Sequence, residues 1–116
     1  MAESLSGPLK SPMISRLCVI GMGLIGSSII RGARRKNFAR DLIACDASPS
    51  VRSRVEELAI ADRVIAAVEE AVVDADLIII CTPVGVIGDV VRAIAPALSK
   101  GSVVSDVGSV KSTIIE

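Results

Sequence analysis

The sequence predicts an α/β fold, a doubly wound parallel sheet, and three observations lead there. Short apolar runs alternate with stretches whose apolar residues recur at spacings of three and four, as successive βα units do. The apolar runs consist of Ile, Val, Leu and Ala with little polar alternation, which suits strands covered on both faces. Hydrophobic residues make up 51% of the 116 and Phe38 is the single aromatic, so the chain has material for one aliphatic core of single-domain size.

The elements follow in order. Residues 1–13 (MAESLSGPLKSPM) are rich in Ser, Pro and Gly and offer little to bury, so a mobile tail is expected there and a single domain over 14–116. Arg16 to Ile20 (RLCVI) is the first strand and runs into a glycine cluster, after which Leu24 to Arg34 has the bunched apolar pattern of a helix. Leu42 to Cys45 (LIAC) is the next strand, closed by Asp46. Ser48-Pro49 then supplies an N-cap and a first-turn proline, and Val51, Val55 and Leu58 give the following helix an apolar face. Ile60 to Ala66 is ambiguous, with room for a short strand at Arg63 to Ile65, and Val68 to Val73 reads as a brief helix. Leu77 to Cys81 (LIIIC) is the most strand-like run. Val84, Ile87, Val90, Val91, Ile94 and Leu98 then mark a helix against the sheet, weakened near its end by Pro96 and stopped at Lys100-Gly101. Ser102 to Ser105 is a last strand, and Asp106 to Ser109 leads into a further helix from Val110.

Charge and composition remove several function classes. The 13 basic and 13 acidic residues cancel, so no global field draws the chain to nucleic acid or to an anionic membrane. The basic cluster Arg31, Arg34, Arg35, Lys36 and Arg40 falls at the end of the first helix, where the dipole favours cations, and no aromatic residues interleave to stack bases. No run approaches the ~18 apolar residues of a membrane span, and no signal-peptide pattern opens the chain. Cys18, Cys45 and Cys81 lie in or at the end of apolar runs without metal-ligand spacing; they are expected to be reduced, buried thiols of a cytoplasmic protein that holds no metal.

The chemistry begins at VIGMGLIGSS, Val19 to Ser28, where Gly21, Gly23 and Gly26 form GxGxxG between a strand and a helix. Alone this motif is weak. Its context strengthens it, because an acid, Asp46, stands at the next strand's end, twenty residues beyond Gly26. The first glycine permits a tight turn, the second lets backbone approach a pyrophosphate, and the third lets helix and strand pack closely. The helix start, including Leu24 and Ile25, then offers bare N–H groups and a positive dipole end to phosphates. Asp46 suits the ribose hydroxyls and repels a 2′-phosphate, so NAD is favoured. Arg52 and Arg54 keep NADP open, and Asp46 also has an alternative as an N-cap. Cys81-Thr82-Pro83-Val84 lies beyond another strand's carboxyl end and would border the same cofactor, unless Pro83 merely starts a helix. Asp106, Ser109 and Lys111 would face the crevice from the last strand, with helix capping and solvation as the alternative for them.

GMGLIGSS, Asp46 within IACDAS, the DADLIIICTPV run and DVGSVKSTIIE together resemble the N-terminal part of the prephenate/arogenate (cyclohexadienyl) dehydrogenase family of tyrosine biosynthesis, over about residues 15 to 116. The resemblance implies a Rossmann domain for NAD or NADP, oxidative decarboxylation of prephenate or arogenate, and a helical C-terminal domain through which the full-length enzyme forms a homodimer. It makes Gly21, Gly23, Leu24, Ile25 and Gly26 the pyrophosphate loop. Asp46 and Ser48 become the ribose side, and Cys81, Thr82, Pro83 and Asp106 the wall toward the nicotinamide. Ser109 is the serine beside nicotinamide and substrate. The family's catalytic histidine and substrate-binding arginines lie downstream of the SVK element, and this sequence has no histidine. The expectation is therefore a fragment or truncated product that binds dinucleotide but does not turn over substrate alone. Rival readings are a stand-alone dinucleotide-binding module, the corresponding part of a β-hydroxyacid or pyrroline-carboxylate dehydrogenase and, more remotely, an S-adenosylmethionine methyltransferase.

Overall fold

A computed structural model of the chain describes residues 10–107. Five strands, β1 (Ile14–Ile20), β2 (Ala39–Cys45), β3 (Arg63–Ile65), β4 (Leu77–Ile80) and β5 (Val103–Asp106), form one sheet in the order β3-β2-β1-β4-β5, with every pairing parallel. Four helices connect them: α1 (Leu24–Lys36), α2 (Pro49–Leu58), α3 (Val68–Ala71) and α4 (Val84–Ile94). The order reverses between β1 and β4, which are neighbours in space while the chain runs outward from each. Such a switch point leaves a crevice beyond the strands' carboxyl ends.

Alternation along the central strands divides the core in two. Cys18 and Ile20 of β1, Ile43 and Cys45 of β2, and Ile78 and Ile80 of β4 join Val72, Val90 and Ile94 on the face covered by α3 and α4. Leu17, Val19, Leu42 and Ala44 point the other way, onto Ile30 and Ala33 of α1 and Val55 of α2. Both faces of the central strands β1, β2 and β4 are therefore covered, and their unbroken apolar runs follow from that, whereas Val103 and Val104 of the edge strand β5 are exposed.

Local chemistry sets most boundaries. Ser48 caps α2, its hydroxyl accepting from Val51 N at 3.4 Å, and Pro49 occupies the first turn. That result gives the cap to Ser48 and not to Asp46. α4 ends at Ile94, short of the expected stop at Lys100-Gly101, because Pro96 turns the chain into a 3₁₀ segment over Ala95–Ala97 and leaves Leu98 outside the helix.

Several readings are corrected. β5 begins at Val103, where Val103 N donates to Asp76 O at 2.9 Å, while Ser102 turns its hydroxyl to Ala75 O at 2.7 Å. Asp106, expected past the strand, is thereby its last residue, paired with Ile80. Val84 and Val91 do not face the sheet: Val90 and Ile94 form the buried stripe of α4, and the two valines lie exposed on its flank. Cys18 and Cys45 are buried free thiols, whereas Cys81 is only half-buried because it lies one residue past β4, at the crevice. Met13 N donates to Phe38 O at 2.9 Å, so the last residue of the expected tail is tied to the domain; residues 1–9 lie outside the described residues. Among the described residues, no helix is long and apolar enough to cross a membrane and no His/Cys/Asp/Glu cluster could hold a metal.

Candidate functional site

The carboxyl ends of β1, β2 and β4 meet around a cleft of about 700 Å³. Two backbone bonds bring the three strand ends level, Gly21 N to Cys45 O and Cys81 N to Ile20 O, both 2.7 Å. Gly21 leaves β1 at φ +94°, a left-handed conformation that favours glycine. A Cβ there would also stand 3.0 Å from the Cys81 carbonyl carbon, so the first loop and the turn after β4 touch at this residue.

The other two glycines of the motif do different work. A Cβ on Gly26 would fall 1.9 Å from the Gly21 carbonyl oxygen, so only glycine allows the first turn of α1 to lie against the end of β1. A Cβ on Gly23 would meet nothing within 4 Å: the space in front of this residue is open. Gly23 is the N-cap of α1, no side chain caps the helix there, and its first turn carries no acid. A helix start left bare in this way, beside open space, is suited to an anion. Leu24 is 88% exposed and Ile25 56%; Ile25 lines the cleft.

Asp46 reaches across from the end of β2. Its Oδ2 accepts from Met22 N at 2.8 Å, inside the glycine loop, and its Oδ1 accepts from Ser48 N at 3.0 Å. The carboxylate thus lies against the loop and lines the cleft with Ala47, and each of its oxygens keeps acceptor capacity for a ligand hydroxyl. Ser48 is committed to the helix cap and shares a 3.1 Å contact with the Ser50 hydroxyl.

Across the switch point, Cys81, Thr82 and Pro83 line the cleft. The Thr82 hydroxyl is buried and has no hydrogen-bond partner among the described residues, an unmet demand that a ligand could meet. Burial pushes the Cys81 thiol above its ordinary value; burial and then the Asp46 charge push Cys45 to about 12, and burial followed by Cys45 raises Cys18 to about 12. None is a thiolate nucleophile near neutral pH.

The structure therefore brings Gly21, Gly23, Ile25, Asp46, Cys81, Thr82 and Pro83 together on one cleft. Asp106 ends β5 half-buried, while Ser109 and Lys111 lie outside the described residues. Sequence reasoning missed the apolar part of the lining, Ala66 and Val68 after β3 and Val86 and Val90 of α4. Ala66 directly follows a strand's carboxyl end, a signal available once Arg63–Ile65 is accepted as a strand.

These features define a nucleotide-binding domain of the doubly wound class. Residues 29–116 match the family model for the prephenate dehydrogenase, nucleotide-binding domain. The chain belongs to that family. A cyclohexadienyl dehydrogenase from Zymomonas mobilis is 39% identical over 106 residues, covering 90% of this chain and 36% of that protein. Among solved structures, prephenate dehydrogenase from A. aeolicus in complex with hydroxyphenyl propionate and NAD+ superposes with a TM-score of 0.72 at 22% identity, covering 79% of this chain and 32% of that one, a likeness of fold. Synechocystis arogenate dehydrogenase gives 0.70 at 28% identity, covering 79% and 32%. The chain thus spans about a third of the length of these relatives.

Proposed function

We propose that the cleft binds NAD and that the chain supplies the cofactor-binding part of a prephenate or arogenate dehydrogenase, an oxidoreductase of tyrosine biosynthesis. The observation that carries this reading is the pairing of bare and filled space at the glycine motif. Gly26 is packed against Gly21 to within a clash of any larger residue, while Gly23 opens on nothing at the uncapped start of α1. The loop is thus held rigidly by one glycine and left accessible by another, which fits a pyrophosphate.

The residues present fit the dinucleotide. The amides around Gly23 and the start of α1 would hold the diphosphate. Asp46 would accept from the adenosine ribose and disfavour a 2′-phosphate, while Thr82 and Pro83 would border the nicotinamide side. Asp106 and Ser109 are assigned to that same side, Ser109 next to the substrate. Bound NAD supplies a hydride acceptor; the protein's part is to position it and to shield the reacting face with the apolar walls of Val84, Val86 and Val90. The chain contains no histidine, and the cleft's thiols hold their protons, so neither imidazole nor thiolate is at hand as a base for the substrate's ring hydroxyl. We therefore expect residues 1–116 to bind NAD without oxidising prephenate or arogenate alone. The same reading makes the full-length enzyme a cytoplasmic homodimer; support for the substrate class comes from the relatives' names.

Calorimetric titration with NAD tests the assignment. Gly23→Val should leave the fold intact, since its side chain enters open space, yet weaken NAD binding at least tenfold, and Asp46→Ala should weaken it by about ten- to a hundredfold. Unchanged affinity in both variants would remove the cofactor assignment.

A further inference from the structure

The turn that carries Asp46 is held by a residue for which the cofactor reading has no use. Asp46 N still donates to Ile65 O at 3.1 Å, but the chain leaves the sheet there, since Cys45 and Ile65 form the last rung between β2 and β3. The carbonyls of Asp46 and Ala47 therefore lack strand partners. Both are taken by one nitrogen, Nη1 of Arg52, at 2.9 and 3.0 Å.

The location of this arginine is unusual in energy terms. Arg52 lies within the first turns of α2, its N–H donating to Ser48 O at 3.0 Å, where the helix dipole disfavours a cation. Two carbonyl acceptors offset that cost. The turn is consequently fixed on two sides: the carboxylate ties it to the glycine loop through Met22 N, and the guanidinium ties it to α2. Without the guanidinium, two carbonyls lose their donor, and the turn is held only by the Asp46 N–H on Ile65 O and by the carboxylate, which accepts from Met22 N and Ser48 N, so its carbonyl side loosens.

Resting on the cofactor reading above, we infer that Arg52 is a positioning residue for the dinucleotide, clamping the Asp46–Ala47 turn so that the carboxylate faces the ribose. Both hydrogens of Nη1 are spent on backbone, so this role differs from pairing with a 2′-phosphate.

The test is a double-substitution cycle on the 116-residue chain, read by NAD titration and by Tm. Arg52→Met keeps the aliphatic stem and removes the donors; it should weaken NAD binding about fivefold, and Arg52→Lys should recover part of that loss. In an Asp46→Asn background Arg52→Met should cost less than about twofold, because its effect passes through the carboxylate. An unchanged affinity in Arg52→Met overturns the inference, as does an equal loss in both backgrounds, which would mark a merely structural role. Selective loss of NADP binding in Arg52→Met would also overturn it, by making Arg52 a phosphate ligand. Failure of the unsubstituted chain to bind NAD would instead overturn the cofactor reading, and this inference with it.

Discussion

The two ends of the sheet use the same kinds of residues for opposite purposes. At the amino ends, acids and arginines close on each other and on backbone. Asp76 Oδ2 accepts from Ser15 N and Arg16 N at 3.0 and 2.9 Å, and Arg16 pairs with Asp41 at 2.8 Å while donating to Val73 O. Asp62 accepts from Leu42 N at 2.7 Å and pairs with Arg34 at 3.2 Å. At the carboxyl ends, the helix start at Gly23 is uncapped, Thr82 holds an unpartnered hydroxyl, and Asp46 faces a cleft. An edge whose acids and arginines are paired in this way adds stability, whereas one with groups in reserve can take a ligand.

The largest break in this contrast should come from Gly26→Ala. The clash with the Gly21 carbonyl outweighs the usual gain of alanine in a helix, costs about 3 kcal/mol and lowers Tm by roughly 12 °C or more, with loss of NAD binding. A thermal melt checks it. Asp76→Ala acts at the other end: two amides lose a charged acceptor, stability falls by about 1 kcal/mol and Tm by roughly 4–8 °C, while the affinity for NAD stays unchanged. A parallel loss of affinity would show that the two ends are not separable. Gly32→Ala, in the same helix as Gly26 but with nothing within 4 Å of its Cβ, should stabilise by about 0.5–1 kcal/mol. The smallest effect sharpens the comparison chemically. At pH 8 a thiol reagent should leave Cys18 and Cys45 untouched, since burial holds both near 12, and should label Cys81 slowly, more slowly still with NAD bound. Equal labelling of all three would contradict the packing.

Much of this was legible in the residue order. The strands of β1, β2 and β4 appear as apolar runs because burial on both faces leaves no polar alternation, and Ser48-Pro49 announces the start of α2 by cap chemistry. β3 was ambiguous because a three-residue edge strand carries too little pattern to separate from a loop. Exposure of Val84 and Val91 escaped notice because spacing places residues on a helix side without saying how wide a stripe its neighbours cover. At the site, Gly21, Gly23, Gly26 and Asp46 were readable from spacing, whereas Ala66, Val68 and Val86 were not, since nothing in an apolar residue distinguishes a cleft wall from a core.

What the chain determined by itself is the local alphabet: where it must turn, which helix starts are capped and which are bare, and which acid follows which strand, because these depend on neighbours a few residues away. The tertiary structure alone decided how those pieces meet. Asp46 reaches Met22 across 24 residues, and Gly21 touches Cys81 across the switch point. Contacts of that kind arise only when parallel strands are laid side by side, since strand order sets them and no local propensity encodes it.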